Sequence, residues 1–484
     1  MAAFGNDVFF ANAAGLNASL LKKEFSAEEL ARAFAERLAQ LGPRYNALAL
    51  PLQQEALRKA RSVDNDIKRG HLRGPLQGVP YAVKDLLSYA GQPTTWGAKP
   101  YAAQVFDFNA TVIDKLAAAG AVITGKLSMV ELAGGGGYRF ASASLFGPGL
   151  NPWDRSRWSG GSSSGSAAAV AAGLAPFTLG SETSGSIVTP AAFCGVTALR
   201  PTYGLVSRHG AMALSWTLDK LGPFAHTAED CGLILQAIAG KDGKDPGSAG
   251  KSFYYTPQYA RPLSELRIGF AAADFADRPD ALARPVFAAA LDTLKACGVQ
   301  LVEARLPPFP YGAVLSAILG GEQASIFEAL IASGQVEQLA DPAQIAGLKA
   351  SLEIPAKDYL RAMRIRRMLQ DAIQLMWADL DAVVAPARTG VAPKIDQPLF
   401  PPPGKTESTN RESSTQAAPS GFSAIIPAGN LAGLPALVLP CGFAENLPLA
   451  IQLAGPPWSE NTLLAIGKDY QSRTDWHTRR PPAA

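Results

Sequence analysis

The sequence predicts an α/β protein in which helices cover a β-sheet. Segments with helical periodicity alternate with short apolar segments. A helix over residues 111–119 precedes a strand over 121–125, and a helix over 285–297 precedes a strand over 299–302. This alternation is typical of helices packed on a sheet. The chain has 484 residues, of which 48% are hydrophobic, and this is enough to bury a large core.

The best-defined predicted helix begins after Ser26. Ser26 and Glu29 have the spacing of a capping box, in which each side chain accepts a backbone hydrogen bond from the other residue. Apolar residues then recur at helical spacing as far as Leu41, where glycine and proline follow and end the helix. Residues 79–83 are predicted to form a short buried strand, with Lys84 at its exit.

The later part of the chain contains further predicted elements and one segment of unusual composition. The elements are a strand over 266–270, a strand pair over 436–439 and 449–453, and a closing helix over 463–470. Residues 400–420 are rich in proline, serine, threonine and charge, which predicts a mobile surface loop. No internal repeat or domain break is visible, so residues 1–484 are expected to form a single domain with a helical N-terminal segment of about residues 1–65.

Charge and residue counts exclude several classes of protein. The net charge is +3, from 44 basic and 41 acidic residues, and this balance gives no bulk field for nucleic-acid binding. The four cysteines form no C-x-x-C pair and the four histidines have no ligand spacing, which favours buried free thiols and no metal site. The sequence contains no apolar stretch of about 20 residues, the length that a membrane-spanning helix requires. A cytoplasmic protein is therefore expected.

The most informative segment is rich in glycine and serine and lies between Gly160 and Pro201. Apolar sequence interrupts it, so it is a poor flexible linker. Glycines let backbone N–H groups crowd around one point, as an oxyanion hole requires, and the serines offer a nucleophile. Lys84 is the candidate base, because burial at a strand end lowers the pKa of a lysine. Taken singly, the serines also fit plain turns and Lys84 a solvated strand end.

Several segments together resemble the amidase signature family. They are the lysine segment at 78–85, the turn at 151–154, the serine segments at 160–201, and the C-terminal patterns at 430–436 and 474–477. The resemblance extends from about Ser26 to His477. It implies a single α/β/α domain around a mixed, twisted sheet, and an amide hydrolase that needs neither a metal nor an organic cofactor.

By position, the resemblance implies a Ser–Ser–Lys triad. Ser186 is the nucleophile, Ser162 is the bridging serine after a cis peptide bond with Gly161, and Lys84 is the base. The backbone N–H groups expected to form the oxyanion hole belong to Thr183, Ser184, Gly185 and Ser186. The residues expected to line the acyl pocket are Gly134, Gly135, Gly136 and Tyr138.

The nucleophile segment departs from the usual form of the family at Glu182, Ser184 and Val188, where aspartate, glycine and arginine are common. These changes affect the surroundings of the triad and favour a stand-alone hydrolase of aryl or aliphatic amides, carbamates (urethanes) or esters. The alternative is the amidase subunit of a tRNA-dependent amidotransferase, and a third hypothesis is a binding protein on an inactive scaffold. The expected partner is a small-molecule amide or carbamate, without nucleic acid or membrane, and any assembly is expected to be a homodimer.

Overall fold

A mixed sheet of eleven strands forms the centre of the described structure, a computed structural model that describes residues 4–399 and 421–482. The strands are β1 (Leu48–Pro51), β2 (Pro80–Lys84), β3 (Val122–Leu127), β4 (Phe177–Glu182), β5 (Thr197–Arg200), β6 (Lys220–Ala225), β7 (Arg267–Phe270), β8 (Gln300–Glu303), β9 (Ala382–Pro386), β10 (Ala436–Ala444) and β11 (Leu447–Ala454). Their order in the sheet is β1-β3-β2-β4-β6-β5-β10-β11-β9-β7-β8. The predicted α/β class is confirmed.

Helices flank this sheet along the described chain. They are α1 (Ala13–Leu21), α2 (Ala27–Leu41), α3 (Gln53–Lys68), α4 (Thr111–Ala118), α5 (Ser164–Ala171), α6 (Val188–Cys194), α7 (Ala228–Ile238), α8 (Ala272–Ala276), α9 (Arg284–Ala296), α10 (Tyr311–Ile326), α11 (Glu328–Ala332), α12 (Pro342–Ser351), α13 (Ala356–Met376), α14 (Ile425–Ala432) and α15 (Glu460–Ser472). The helix predicted after Ser26 is α2, and both halves of its capping box are formed. The segment 400–420, predicted to be a mobile loop, lies outside the described residues.

The two faces of the sheet bury different side chains. In β2, Tyr81 and Val83 join a cluster of buried residues that includes α2, α3 and α7. Ala82, between them, joins a second cluster built mainly from α5 and α6. Successive side chains of a strand point to opposite faces, so Lys84 lies on the same face as Ala82. The helices α5 and α6, which follow the two serine segments, therefore cover the face that carries Lys84.

The late strands and the cysteines agree with the sequence. Strands β10 and β11 form an antiparallel hairpin with a bulge between Pro440 and Gly442, and the closing helix is α15. All four cysteines are buried free thiols, as predicted. Among the described residues, no helix is long and apolar enough to cross a membrane.

Candidate active site

Lys84 is the last residue of β2 rather than the residue after it. Parallel pairing with β3 extends to this position, where Lys84 lies opposite Leu127. Its side chain is completely buried, with 0% of its surface exposed. Lysine is rarely buried in this way unless its amine is hydrogen-bonded. The Lys84 amine is thus shielded from solvent on the face of the sheet that α5 covers.

Three serine hydroxyls surround the Lys84 amine. Its Nζ lies 2.7 Å from Ser162 Oγ, 2.9 Å from Ser181 Oγ and 3.1 Å from Ser163 Oγ. The Ser163 hydroxyl donates to the backbone carbonyl of Ser181 at 3.1 Å, so its oxygen accepts from the amine. Within the described chain, the Ser162 hydroxyl has no hydrogen bond except that to Lys84. The hydroxyls of Ser162 and Ser181 are therefore both free to donate a proton to a neutral amine, and Ser162 is the nearer of the two.

The buried environment lowers the pKa of Lys84 to about 7. Burial is the main cause, because it disfavours the charged form, and the carboxylates of Asp219 and Glu182 limit the shift by favouring that form. An ordinary lysine has a pKa of about 10.4 and is almost fully charged at neutral pH. Lys84 instead has a substantial neutral fraction at pH 7, which a general base requires.

Ser162 is held at the start of α5 by a tightly packed turn. The Gly161–Ser162 peptide bond is cis, as the sequence resemblance implied. Gly160 before it has a φ of +88°, and a Cβ at this position would lie 2.5 Å from the Cα of Pro190 in α6. Only glycine fits both the dihedral angle and this close approach. The glycine segment thus packs the Ser162 turn directly against the helix that follows the nucleophile segment.

The loop between β4 and α6 places Ser186 beside a set of unpaired N–H groups. In the described structure, the backbone N–H groups of Ser184, Gly185 and Ser186 donate to no protein acceptor. Gly185 has a φ of +85° and turns the loop so that consecutive N–H groups remain open. Thr183 anchors the loop, because its hydroxyl donates to Asp219 at 2.6 Å. The arrangement is suited to holding an oxyanion.

The Ser186 side chain is open to the adjoining cleft. Ser186 is 8% exposed, and its hydroxyl makes no hydrogen bond to Ser162 or to another described residue. The structure therefore brings Lys84 and Ser162 into direct contact, whereas Ser186 makes no hydrogen bond to either residue. Hydrogen bonds of this kind are often long in enzymes without substrate.

Glu182 organises the loop between β4 and α6, which bears Ser186. Its carboxylate accepts hydrogen bonds from the N–H groups of Ile187 at 2.8 Å and Val188 at 3.0 Å, and so caps α6. The same group forms a buried ion pair with Arg200 at 2.8 Å and accepts from the Asn430 amide at 2.8 Å. Burial alone would raise the pKa of Glu182, but these partners hold it at about 2. The carboxylate is therefore ionised at neutral pH.

Ser186 opens into a cleft of about 420 Å³. Of the predicted pocket residues, Gly134 and Tyr138 line this cleft, with Tyr138 packed edge-on against Trp158. The structure does not place Gly135 and Gly136 on the cleft wall. Gly135 instead packs against Leu214 and Phe327, and Gly136 against Gln344 and Leu348. Within the glycine run 134–137, only Gly134 faces the cleft.

Some lining residues were not found by sequence reasoning. Asp280 and Arg388 line the cleft but come from segments far from the serine segment and without a recognised motif, whereas Thr189 lies within the serine segment but was not singled out. A larger neighbouring cavity of about 550 Å³ shares residues such as Thr183 and Leu214 with the cleft. Within residues 4–399 and 421–482, no group of three or more histidine, cysteine, aspartate or glutamate side chains has the arrangement of a metal site.

Comparison with known proteins identifies the family. The family model for Amidase matches residues 29–464. A glutamyl-tRNA(Gln) amidotransferase subunit from Synechococcus sp. is 35% identical over 96% of this chain and 92% of its own length. The peptide amidase from Stenotrophomonas maltophilia has a similar structure, with a TM-score of 0.82, 32% identity and 98% coverage of both chains. The chain belongs to the amidase signature family, a class of enzymes that act on C–N bonds.

A third relative has both a solved structure and an amidotransferase name. This glutamyl-tRNA(Gln) amidotransferase subunit, from Thermotoga maritima, superposes with a TM-score of 0.77 and 26% identity, over 97% of this chain and 96% of that one. The expectation of a small-molecule partner, no nucleic acid and a homodimer is contradicted by these relatives, whose names describe one subunit of an enzyme for a tRNA substrate. The net charge led to a wrong prediction about nucleic acid because it describes this chain alone, whereas a different subunit can bind the tRNA.

Proposed function

We propose that this protein hydrolyses carboxamide C–N bonds through an acyl-enzyme on Ser186. One observation carries the proposal: the Lys84 amine lies 2.7 Å from Ser162 Oγ in a niche closed to solvent, and it also contacts Ser181 in the strand that leads into the loop bearing Ser186. In this proposal Lys84 is the base, Ser162 passes the proton, and Ser186 is the nucleophile.

The first step forms a bond between Ser186 Oγ and the amide carbon. The Ser186 proton passes to Ser162, and the Ser162 proton passes to the lone pair of Lys84. Because Ser186 has no hydrogen bond to Ser162 in the structure, this step requires the two hydroxyls to come within hydrogen-bond distance. The carbonyl oxygen becomes an oxyanion that accepts from the open N–H groups of the 183–186 loop, each typically contributing about 3 kcal/mol.

The second step breaks the C–N bond. Lys84 returns its proton through Ser162 to the leaving nitrogen, so that a primary amide releases ammonia and leaves an ester on Ser186. Water then attacks this ester, giving up a proton to the same relay, and the carboxylic acid leaves with the Ser186 hydroxyl restored. Every proton taken up by Lys84 is thus returned within one turnover.

For the substrate, we propose that the chain is the ammonia-producing subunit of a glutamyl-tRNA(Gln) amidotransferase. The support is 35% identity to relatives of that name over 96–99% of this chain. In this role the cleft holds glutamine, Ser186 takes its acyl group, and other subunits hold glutamyl-tRNA(Gln). Ammonia production is then the part of the reaction that this chain performs.

The test combines assembly and turnover. The chain is co-expressed with the other amidotransferase subunits of the same genome, and ammonia release from glutamine and amidation of glutamyl-tRNA(Gln) are measured. We expect a stable complex with both activities, and loss of both with Ser186→Ala in the same complex. Failure to form a complex, or amidation that survives Ser186→Ala, would overturn the amidotransferase role.

A second candidate substrate is a peptide with a C-terminal amide. It is favoured by the likeness to the Stenotrophomonas peptide amidase and by Glu182, Ser184 and Val188, which depart from the common form of the nucleophile segment. Ammonia release from dipeptide amides by the isolated chain, without other subunits, would support this candidate over glutamine. Hydrolysis of aryl carbamates and esters is measured in the same way, because these compounds present a similar carbonyl group to Ser186.

A further inference from the structure

Arg388 places a cation in the same cleft as the nucleophile. The residue follows β9 and lines the cleft together with Ser186. Its Nη2 atom is 3.5 Å from the point where a Cβ on Gly185 would lie, so the guanidinium reaches the loop that carries Ser186. Asp280 is the other charged residue that the described cleft lining contains.

The charge of Arg388 is not matched by an ion pair. In the described ranges, 4–399 and 421–482, no carboxylate forms a salt bridge with it, and Asp280 is not in contact. Glu182 is nearby, but Arg200 already pairs with that carboxylate at 2.8 Å. Burial lowers the pKa of Arg388, which reflects an environment that disfavours the unpaired cation. The Arg388 side chain is only partly exposed, and a cation that is partly withdrawn from water without a counter-charge is costly, so a ligand that supplies an anion would be stabilised here.

Thr189 holds the guanidinium in one orientation. Both Nε and Nη2 of Arg388 donate to the Thr189 hydroxyl, with Nε at 3.1 Å. Thr189 lies in the first turn of α6, three residues after the nucleophile. A guanidinium has five N–H donors in a fixed plane, so donors remain for a ligand. A planar fork held in this way matches the two oxygens of a carboxylate.

We propose that Arg388 binds a carboxylate carried by the amide substrate itself, so that the preferred substrates are monoamides of short dicarboxylic acids. The proposal rests on the proposed amide hydrolysis at Ser186. Because the cation and the nucleophile line one cleft, the carboxylate and the scissile carbonyl belong to the same small molecule. Glutamine is one member of this class, and glutaramate, the monoamide of glutaric acid, is the member without an amino group.

The first test measures binding, so that it does not depend on turnover. Glutarate is titrated into the Ser186→Ala protein by calorimetry. We expect Arg388→Gln to weaken glutarate binding by roughly 30-fold or more, and Arg388→Lys to weaken it less because the charge remains. The matched control is Asp280→Asn, which removes the other cleft charge and should not weaken glutarate binding. Equal affinity of the Arg388→Gln and parent proteins would overturn the inference.

The second test measures selectivity. The ratio of kcat/KM for glutaramate to kcat/KM for pentanamide, its uncharged analogue of equal chain length, should exceed one and should collapse in Arg388→Gln. An unchanged ratio in a variant with a normal melting temperature would overturn the inference. If the parent protein hydrolyses no amide but still binds glutarate through Arg388, the inference stands and the proposed amide hydrolysis fails. The two proposals are thereby separated.

Discussion

The Lys84 amine and the Ser162 hydroxyl are 2.7 Å apart, and both side chains are withdrawn from solvent. The contact joins the end of β2 to the turn before α5. The hydroxyls of Ser163 and Ser181 also accept hydrogen bonds from the amine, but the Ser163 hydroxyl donates its own proton to the Ser181 backbone carbonyl. Ser162, the nearest of the three, and Ser181 are therefore the hydroxyls that can exchange a proton with Lys84.

The pH dependence of the reaction should follow the titration of Lys84. Burial lowers its pKa to about 7, and only the neutral amine accepts a proton. We expect kcat/KM for an uncharged amide to rise about tenfold per pH unit below pH 7 and to level off above it. Circular dichroism over the same pH range controls for unfolding. A rate that is flat between pH 5.5 and 9, or that falls with rising pH, would be incompatible with a lysine base.

Two neighbouring serines provide a matched pair of variants. Ser162→Ala should lower kcat by about 10²–10⁴-fold, since it removes the group that passes the proton. Ser163→Ala removes a hydroxyl whose proton is held by the Ser181 carbonyl, and should cost about tenfold or less through the lost hydrogen bonds. Steady-state ammonia release measures both. Similar losses in the two variants would contradict the distinct role of Ser162.

The Glu182–Arg200 ion pair should be important for stability. Glu182→Gln leaves the fully buried Arg200 guanidinium without its counter-charge, and should lower the free energy of unfolding by about 3 kcal/mol. The control is Glu265→Gln, which breaks an ion pair with Arg261 in which both side chains are 57% exposed and should cost below about 1 kcal/mol. Urea unfolding measures both. Equal losses of unfolding free energy in the two variants would show that the buried ion pair contributes no more to stability than the exposed one.

Glu182 should also contribute to acid denaturation. Its pKa is about 2 in the folded protein, against an ordinary value of 4.5, so the unfolded chain binds the proton more readily. The stabilisation is complete above the unfolded value and is lost as the pH falls from about 4.5 to 2, to a total of roughly 3 kcal/mol. The unfolding free energy of the parent protein should therefore fall more steeply over this range than that of Glu182→Gln. Parallel curves would contradict this assignment.

Local sequence patterns correctly predicted those helices and strands whose limits depend on interactions between neighbouring residues. Ser26 and Glu29 predicted the start of α2 because a capping box requires only neighbouring residues. The Lys84 strand was predicted from its apolar residues, but its last residue depends on pairing with Leu127 in another strand. The glycine and serine segments suggested Ser162 and Ser186 as members of a triad through a family resemblance, not through periodicity.

Other features depend on contacts between distant parts of the chain. Arg388 and Thr189 are 199 residues apart in sequence, and Glu182 and Asn430 are 248 apart. No local pattern indicates that these side chains meet. Gly135 and Gly136 were expected in the pocket because they adjoin Gly134, but the turn directs them toward α10 and α12. The mistaken expectation about partners has a similar origin, since the charge of one chain does not report what other subunits bind.

The most direct test of the mechanism is to locate the acyl group. The protein is mixed with a p-nitrophenyl ester at low pH, where deacylation is slow, and the intact mass and its peptides are measured. We predict a mass increase equal to one acyl group, mapped to Ser186, and no increase in Ser186→Ala. Acylation of another residue, or turnover of an amide that persists in Ser186→Ala, would contradict the account.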